Sequence, residues 1–185
     1  MLGSLHGTVT GRLDHRTLIE VSGVGYWVFT GSWQPEGDVT CYLYHHVREE
    51  ASDLYGFEHL ADLQLFEKLL GISGIGPKAA LALLSIGPAT RISQAIQEKD
   101  VTFLSSAPGI GQKAAQKIVL ELNDKLDSIV LLLADTNSPT GDLLAALISL
   151  GYKNQEIRPY LGSVPKEITS LNDQIKWVLS EVSKK

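Results

Sequence analysis

Two nearly identical heptapeptides constrain this chain more than any other feature of its sequence. Residues 74–80 read GIGPKAA and residues 109–115 read GIGQKAA, so the same pattern recurs 35 residues later with one difference in seven positions. A glycine turn followed by lysine and alanine predicts the start of a helix, where backbone N–H groups have no partner inside the helix. The chain is therefore expected to contain two similar helix–turn–helix units.

Two nucleotide-binding motifs contain similar glycines, and neither fits. A dinucleotide fingerprint needs a preceding strand, whereas the helical spacing of apolar residues over 63–70 predicts a helix. A phosphate-binding loop needs Ser or Thr after its lysine, whereas Pro77 displaces Lys78 and Ala79 follows it. A two-copy helical solenoid stays open as the purely structural alternative, because 35 residues is close to the length of known helical repeats.

The two turns are suited to binding phosphate. Unpaired amides and the helix dipole attract an anion, and glycine lets a nucleic-acid backbone come close because it has no Cβ. Ile75 and Ile110, between the glycines, are expected to point into the core. The predicted phosphate-binding residues are Gly74, Gly76, Lys78 and Ala79 in the first unit and Gly109, Gly111, Lys113, Ala114 and Lys117 in the second.

This arrangement resembles the helix-hairpin-helix motif, which holds the DNA backbone independently of sequence. The frame hydrophobic-x-x-hydrophobic-x-Gly-hydrophobic-Gly-x-x-Ala occurs from Leu69 to Ala79 and again from Leu104 to Ala114. Net charge is −5 overall, but it is −6 over residues 1–62, +1 over residues 63–127 and zero over residues 128–185. The repeated motif thus lies in the least acidic third of the chain, although no strong basic patch marks it.

The segments on either side of the repeat differ in pattern. Runs of β-branched and aromatic residues at 18–21, 26–29 and 39–44, separated by glycine turns, predict a five- or six-stranded barrel. Three short helices are expected near the C-terminus, after a polar stretch that ends at Pro139. A single cysteine, Cys41, excludes an internal disulfide, and no apolar run reaches bilayer length, so a reducing cytoplasm is the expected location.

Two further stretches connect this order of segments to a family. With IEVSGVGY at 19–26 and VREEASDLYGF at 47–57, the chain resembles the RuvA family, the junction-binding subunits of the bacterial branch-migration machinery, over essentially its whole length. The resemblance implies an α+β multidomain protein: an OB-type barrel over 1–60, a tandem helix-hairpin-helix domain over 61–128, a flexible linker over 129–138 and a three-helix, UBA-like domain over 139–185.

The resemblance also implies a function and partners. The family binds four-way (Holliday) DNA junctions as a homotetramer or stacked octamer, without catalytic residues, metal or cofactor. A RuvB-type hexameric ATPase, bound by the last domain, supplies the motor, and a RuvC-type resolvase is a further partner. Glu49 and Glu50 match the acidic pin at the junction centre, with Arg48 as the adjacent basic residue. The candidate motor-binding residues are Leu144, Leu147, Leu150 and Tyr152.

The chain departs from the family pattern, and some alternatives stay open. Gln112 stands where a lysine is common, and Ser4 and His6 occupy positions that are often basic. Fewer cations imply a shallower salt dependence of DNA binding. A helix-hairpin-helix glycosylase or lyase using Lys113, or a nuclease accessory domain, is the alternative function. The residues open to other roles are Asp124, Asp127 and Asp135 for the lyase, and His45, His46 and Asp53 for a metal site.

Overall fold

The computed structural model of the chain describes residues 1–123, 125–126, 129, 139–165 and 168–183. These residues form two compact units, Met1–Asn123 and Asp124–Lys185. The first unit contains a β-barrel followed by five helices, and the described part of the second contains three helices. The predicted α+β multidomain fold class is therefore confirmed.

The barrel consists of five strands that close in the order β1-β2-β3-β5-β4. All neighbours are antiparallel except β3 and β5, which run parallel where Val28 pairs with Leu54. Closure leaves no long unpaired strand edge. The strands are β1 (Ser4–Leu13), β2 (Arg16–Val21), β3 (Val24–Phe29), β4 (Asp38–Val47) and β5 (Ser52–Phe57). The barrel core consists of Leu5, Ile19, Val28, Cys41, Leu43 and Leu54.

Two short turns shape the barrel ends. Ser22 and Gly23 join β2 to β3, and their φ angles of 51° and 81° fit the two-residue hairpin turn that needs positive φ at both positions. Residues 48–51 join β4 to β5, and the Arg48 amide donates a 2.8 Å hydrogen bond to the Ala51 carbonyl. The second turn is therefore a tight, ordered loop at the tip of a hairpin.

A buried aromatic side chain attaches the first helix to the barrel. Phe66, on α1 (Leu60–Leu70), has no exposed surface. Its ring centroid lies 5.4 Å from that of Tyr44, 5.2 Å from that of Tyr55 and 5.0 Å from that of Phe57. Contacts of this kind stabilise beyond the area that they bury. The barrel and the helices that follow thus share one packed unit.

The remaining helices of the first unit carry the repeated motif. Asp62 on α1 accepts a 2.9 Å hydrogen bond from the Ala89 amide and so caps the first of the two helices that lie between the motif copies. The heptapeptides each open a helix, as predicted. The helices are α2 (Pro77–Leu84), α3 (Ala89–Gln97), α4 (Val101–Leu104) and α5 (Gln112–Leu122).

The second unit contains the three C-terminal helices expected from the sequence. They are α6 (Pro139–Ser149), α7 (Asn154–Leu161) and α8 (Leu171–Val182). Their shared core is formed by Leu143, Leu144, Leu147, Ile157 and Val178. Ile129 is fully buried and its amide donates to the Leu126 carbonyl. The rest of the predicted linker, residues 130–138, lies outside the described residues.

Within the described ranges, no single helix is long and apolar enough to cross a bilayer. The helices α2 and α3 are long and apolar enough only when taken together, and they are bent by 97° relative to each other.

Candidate nucleic-acid interface

The two hairpins have the same turn geometry. The Ile75 amide donates to the Ile72 carbonyl at 3.0 Å, and the Ile110 amide donates to the Ala107 carbonyl at the same distance. The third residue of each turn is a glycine with positive φ, 91° at residue 74 and 79° at residue 109. A turn of this kind is type II, which strongly favours glycine at that position. The two copies of the sequence repeat therefore form the same turn, with the same hydrogen bond and a positive-φ glycine at the same position.

The second glycine of each hairpin is not needed for its backbone conformation. Gly76 and Gly111 are the N-cap residues of α2 and α5, with φ of −95° and −82°, which any residue can adopt. A Cβ added at either position would meet no atom within 4 Å. The absence of a side chain here leaves open surface in front of the helix N-terminus, as a close approach by a ligand backbone requires.

The predicted phosphate-binding amides are unpaired in both copies. Among the described residues, none of these N–H groups donates a hydrogen bond to another backbone group. Unpaired amides at a helix N-terminus, together with the helix dipole, form an anion site. The amides concerned are those of Gly74, Gly76, Lys78 and Ala79 in the first hairpin and of Gly109, Gly111, Lys113 and Ala114 in the second.

Side chains around the turns lie where the sequence predicted. Lys78 and Lys113 are exposed in the first turn of their helices. Ile75 and Ile110 are only 7% and 4% exposed and anchor the loops in the core. Each copy therefore presents amides and one lysine outward while its central isoleucine holds the loop from behind.

Lys117 makes a contact that sequence spacing alone could not reveal. Its Nζ donates a 2.6 Å hydrogen bond to the carbonyl oxygen of Ser73, in the other hairpin, 44 residues away. The same ammonium lies 3.8 Å from a carboxylate oxygen of Glu121. The contact joins the helix of the second motif to the loop of the first. Direct binding of phosphate by Lys117 stays a prediction.

The proposed acidic pin lies at the tip of the β4–β5 hairpin. Glu49 and Glu50 are both exposed there, and so is Arg48. The Arg48 Nε donates a 2.7 Å hydrogen bond to Nε2 of His46, whose ring stacks on Tyr44 at 5.9 Å between centroids. This bond could not be predicted from the sequence, because it depends on the conformation of the turn at residues 48–51.

The histidines of β4 have separate partners. His45 Nε2 lies 2.8 Å from the Ser52 hydroxyl, whereas His46 is held by Arg48, as expected for neighbouring strand residues that face opposite ways. No group of three or more potential metal-binding side chains occurs in the described part of the chain. Burial raises the pKa of the Cys41 thiol to about 12, so it stays protonated near neutral pH.

The four candidate motor-binding residues separate into two pairs. Leu144 and Leu147 are 8% and 0% exposed and belong to the core of the second unit, so their side chains serve packing instead of presenting a surface. Leu150 is 57% exposed and Tyr152 is partly buried against the same core. The acids required by the lyase alternative, at positions 124, 127 and 135, lie outside the described residues.

Comparison with known proteins matches two family models to the first two thirds of the chain. The family model described as RuvA N terminal domain matches residues 1–56, and the model described as SAM-like helix-hairpin-helix tandem matches residues 66–124. The chain is 34% identical to the Holliday junction branch migration complex subunit RuvA of Thioalkalivibrio sulfidiphilus across the full length of both. It is 36% identical to proteins of the same name from Halalkalibacterium halodurans, over 97% of each chain, and Bacillus mycoides, over 93% of this chain and 95% of the relative. With such identity along its whole length, the chain belongs to the RuvA family.

Proposed function

We propose that this chain binds four-way (Holliday) DNA junctions by their structure and takes part in branch migration during recombination and repair. The observation that carries the proposal is the pair of hairpins with matching turn hydrogen bonds and φ angles, each with a type II turn and a row of amides that donate to no backbone group of the described residues. The relatives are named as subunits of a Holliday junction branch migration complex, which agrees with that geometry.

Phosphate contacts explain how one protein serves a crossover that moves through any sequence. Contacts to phosphate position a protein on DNA, whereas contacts to base edges carry sequence information and would stall movement. The hairpins offer main-chain amides and one exposed lysine each, and both groups suit phosphate. Because both hairpins lie in one compact unit, a single subunit can hold one DNA arm at two points.

The acidic tip has a different role in the proposal. Carboxylates repel phosphates, so Glu49 and Glu50 at the junction centre would keep the separated strands from stacking again. Arg48 lies beside them and can hold the backbone of a separated strand. Their exposure at the end of a tight hairpin supports this role, because they project from the barrel and are not packed against it.

We propose further that the chain is not itself an enzyme and acts within a larger assembly in the cytoplasm. Four subunits would form a tetramer, alone or stacked as an octamer, around the four arms. A RuvB-type hexameric ATPase would supply the motor and a RuvC-type resolvase would cut the product. The exposed Leu150 and the partly exposed Tyr152 are the side chains of the C-terminal unit that we assign to motor binding.

A gel-shift titration tests the proposal directly. A four-way junction and a linear duplex with the same arm sequences are titrated at equal salt concentration. We expect the junction to bind at least about tenfold more tightly, which corresponds to about 1.4 kcal/mol. Changing all arm sequences should leave the junction affinity unaltered. Equal affinity for the two DNA forms contradicts the proposal, as does a preference that follows the arm sequence.

A further inference from the structure

The hydrogen bond between Lys117 and Ser73 fixes one particular peptide group of the first hairpin. Ser73 occupies the second position of the turn whose third residue is Gly74. Its carbonyl oxygen accepts from the Lys117 ammonium at 2.6 Å. The acceptor therefore belongs to the Ser73–Gly74 peptide, which is the central peptide of the turn.

The orientation of that peptide decides where the Gly74 amide points. In a planar trans peptide the C=O and N–H bonds point in opposite directions. Type I and type II turns differ in the orientation of their central peptide. While the Ser73 carbonyl faces Lys117, the Gly74 N–H faces the other way, and it has no backbone acceptor among the described residues. A flip of this peptide would turn that donor away from its present direction.

The second hairpin holds its turn by other means. Pro108 stands at the position equivalent to Ser73. Its ring fixes φ near about −65°, a value that type I and type II turns share, and proline followed by a positive-φ glycine is the pair common in type II turns. Ser73 has no such ring. The two turns have the same hydrogen bond and the same positive φ, yet only the first is contacted at this carbonyl by a lysine of the described chain.

We propose that Lys117 is a positioning residue, which holds the Ser73–Gly74 peptide so that the first hairpin presents the Gly74 amide to phosphate. This inference rests on the proposed function, because it assigns how the same site is preorganised. The ammonium already has two partners, the Ser73 carbonyl at 2.6 Å and a Glu121 carboxylate oxygen at 3.8 Å. In this proposal Lys117 acts through the turn, as the Pro-Gly pair does in the other copy.

A rescue experiment distinguishes a positioning role from direct contact with DNA. K117M removes the ammonium and keeps most of the side-chain stem. We expect it to weaken junction binding about five- to tenfold, the scale of one ordinary hydrogen bond, because the ammonium is partly exposed to water. S73P gives the first hairpin the Pro-Gly pair of the second, which favours the type II orientation of the central peptide, and the Ser73 amide donates to no backbone group of the described chain. In the S73P background, K117M should weaken binding by no more than about twofold.

K113M is the matched control, because it removes one exposed lysine that, within the described ranges, makes no hydrogen bond to the Ser73–Gly74 peptide. Each phosphate contact contributes about 0.9 to the slope of log affinity against log salt concentration. K113M should lower that slope by about this amount, with no rescue by S73P, whereas K117M should leave the slope unchanged. A lower slope for K117M together with no rescue by S73P would mean that Lys117 binds phosphate directly, and the inference would be overturned.

A measurement without DNA separates this inference from the proposed function. In the free protein, K117M should shift the amide resonance of Gly74 and leave that of Gly109 in place. An unchanged Gly74 resonance overturns the positioning role even if the wild-type chain prefers junctions. Failure of the wild-type chain to prefer junctions counts against the proposed function alone, because the resonance reports only on the turn.

Discussion

Single glycines in the barrel serve packing as well as turns. Gly7 on β1 lies where an added Cβ would overlap the Glu20 carbonyl oxygen of β2 and come within 2.8 Å of the Val21 Cγ2. Gly11, on the same strand, has room: its Cβ would lie 3.7 Å from the Leu18 Cβ, an ordinary contact. The two positions therefore differ in what surrounds them, although they share a residue type and a strand.

This difference predicts unequal effects of the same substitution. G7A should lower the free energy of unfolding by about 2–3 kcal/mol, because a backbone oxygen cannot yield as a flexible side chain can. G11A should change it by no more than about 0.5–1 kcal/mol. Urea denaturation of both variants, fitted with a common m-value, measures the two effects. Equal losses in the two variants would show that the clash at position 7 is not the cause of the destabilisation.

In the hairpins, the two glycines of each copy have separate roles. Gly109 has φ of 79° and Gly111 has φ of −82°. G109A should destabilise the chain by about 1–2 kcal/mol, the cost of the left-handed region for an L-residue. G111A should leave the melting temperature roughly unchanged, because alanine restricts the unfolded chain but is a poorer N-cap residue than glycine, and the two effects oppose each other.

For G111A, the expected loss is in DNA binding and not in stability. G111A places a methyl group on the open surface where a phosphodiester would approach, so junction affinity should fall about tenfold in a fully folded protein. Thermal melting and gel shifts on the same samples measure both quantities. Unchanged junction affinity in G111A would contradict the role assigned to this glycine.

An element can be predicted from the sequence when the residues that form it act on their own neighbours along the chain. The hairpins were predicted closely, because glycine, lysine and alanine act on their own turn and first helical residues. The runs at 18–21, 26–29 and 39–44 correspond to β2, β3 and β4. Strand β1 alternates in exposure, but two of its inward positions, Gly7 and Gly11, are glycines, and β5 ends in four consecutive buried residues. Neither sequence therefore shows the alternation of apolar and polar residues that marks a half-buried strand.

Contacts that join distant segments could not be predicted from the sequence. Lys117 and Ser73 are 44 residues apart, and no spacing rule connects them. The bond from Arg48 to His46 is local in sequence but depends on the tip of a hairpin whose second strand lies outside the three predicted runs. The candidate interface residues can thus be named from residue type and position, whereas the bonds that orient them required the fold.

Over the full chain, the distribution of charge separates the tip from the hairpins. Residues 1–62 carry a net charge of −6 and residues 63–127 carry +1, although both belong largely to one compact unit. DNA arms would be held by the second segment while the tip of the first repels the phosphates nearest to it. In a tetramer, eight carboxylates from Glu49 and Glu50 would meet at the centre. Repulsion there would be a property of the assembly and not of one subunit.

Reversing the charge of the tip should therefore change movement more than binding. With Glu49→Lys and Glu50→Lys together, junction affinity should be equal or higher, because lysine attracts phosphate, while ATP-driven branch migration with a RuvB-type partner should slow severalfold as strands are retained at the centre. Glu49→Gln with Glu50→Gln is the matched control, in which the repulsion of phosphate is lost and no attraction replaces it. Its migration rate should lie between those of the wild-type chain and the lysine pair. Gel shifts measure binding, and dissociation of a labelled junction measures migration. Loss of junction binding in the lysine pair would mean that the tip shapes the fold or the assembly, and the role as a pin would be wrong.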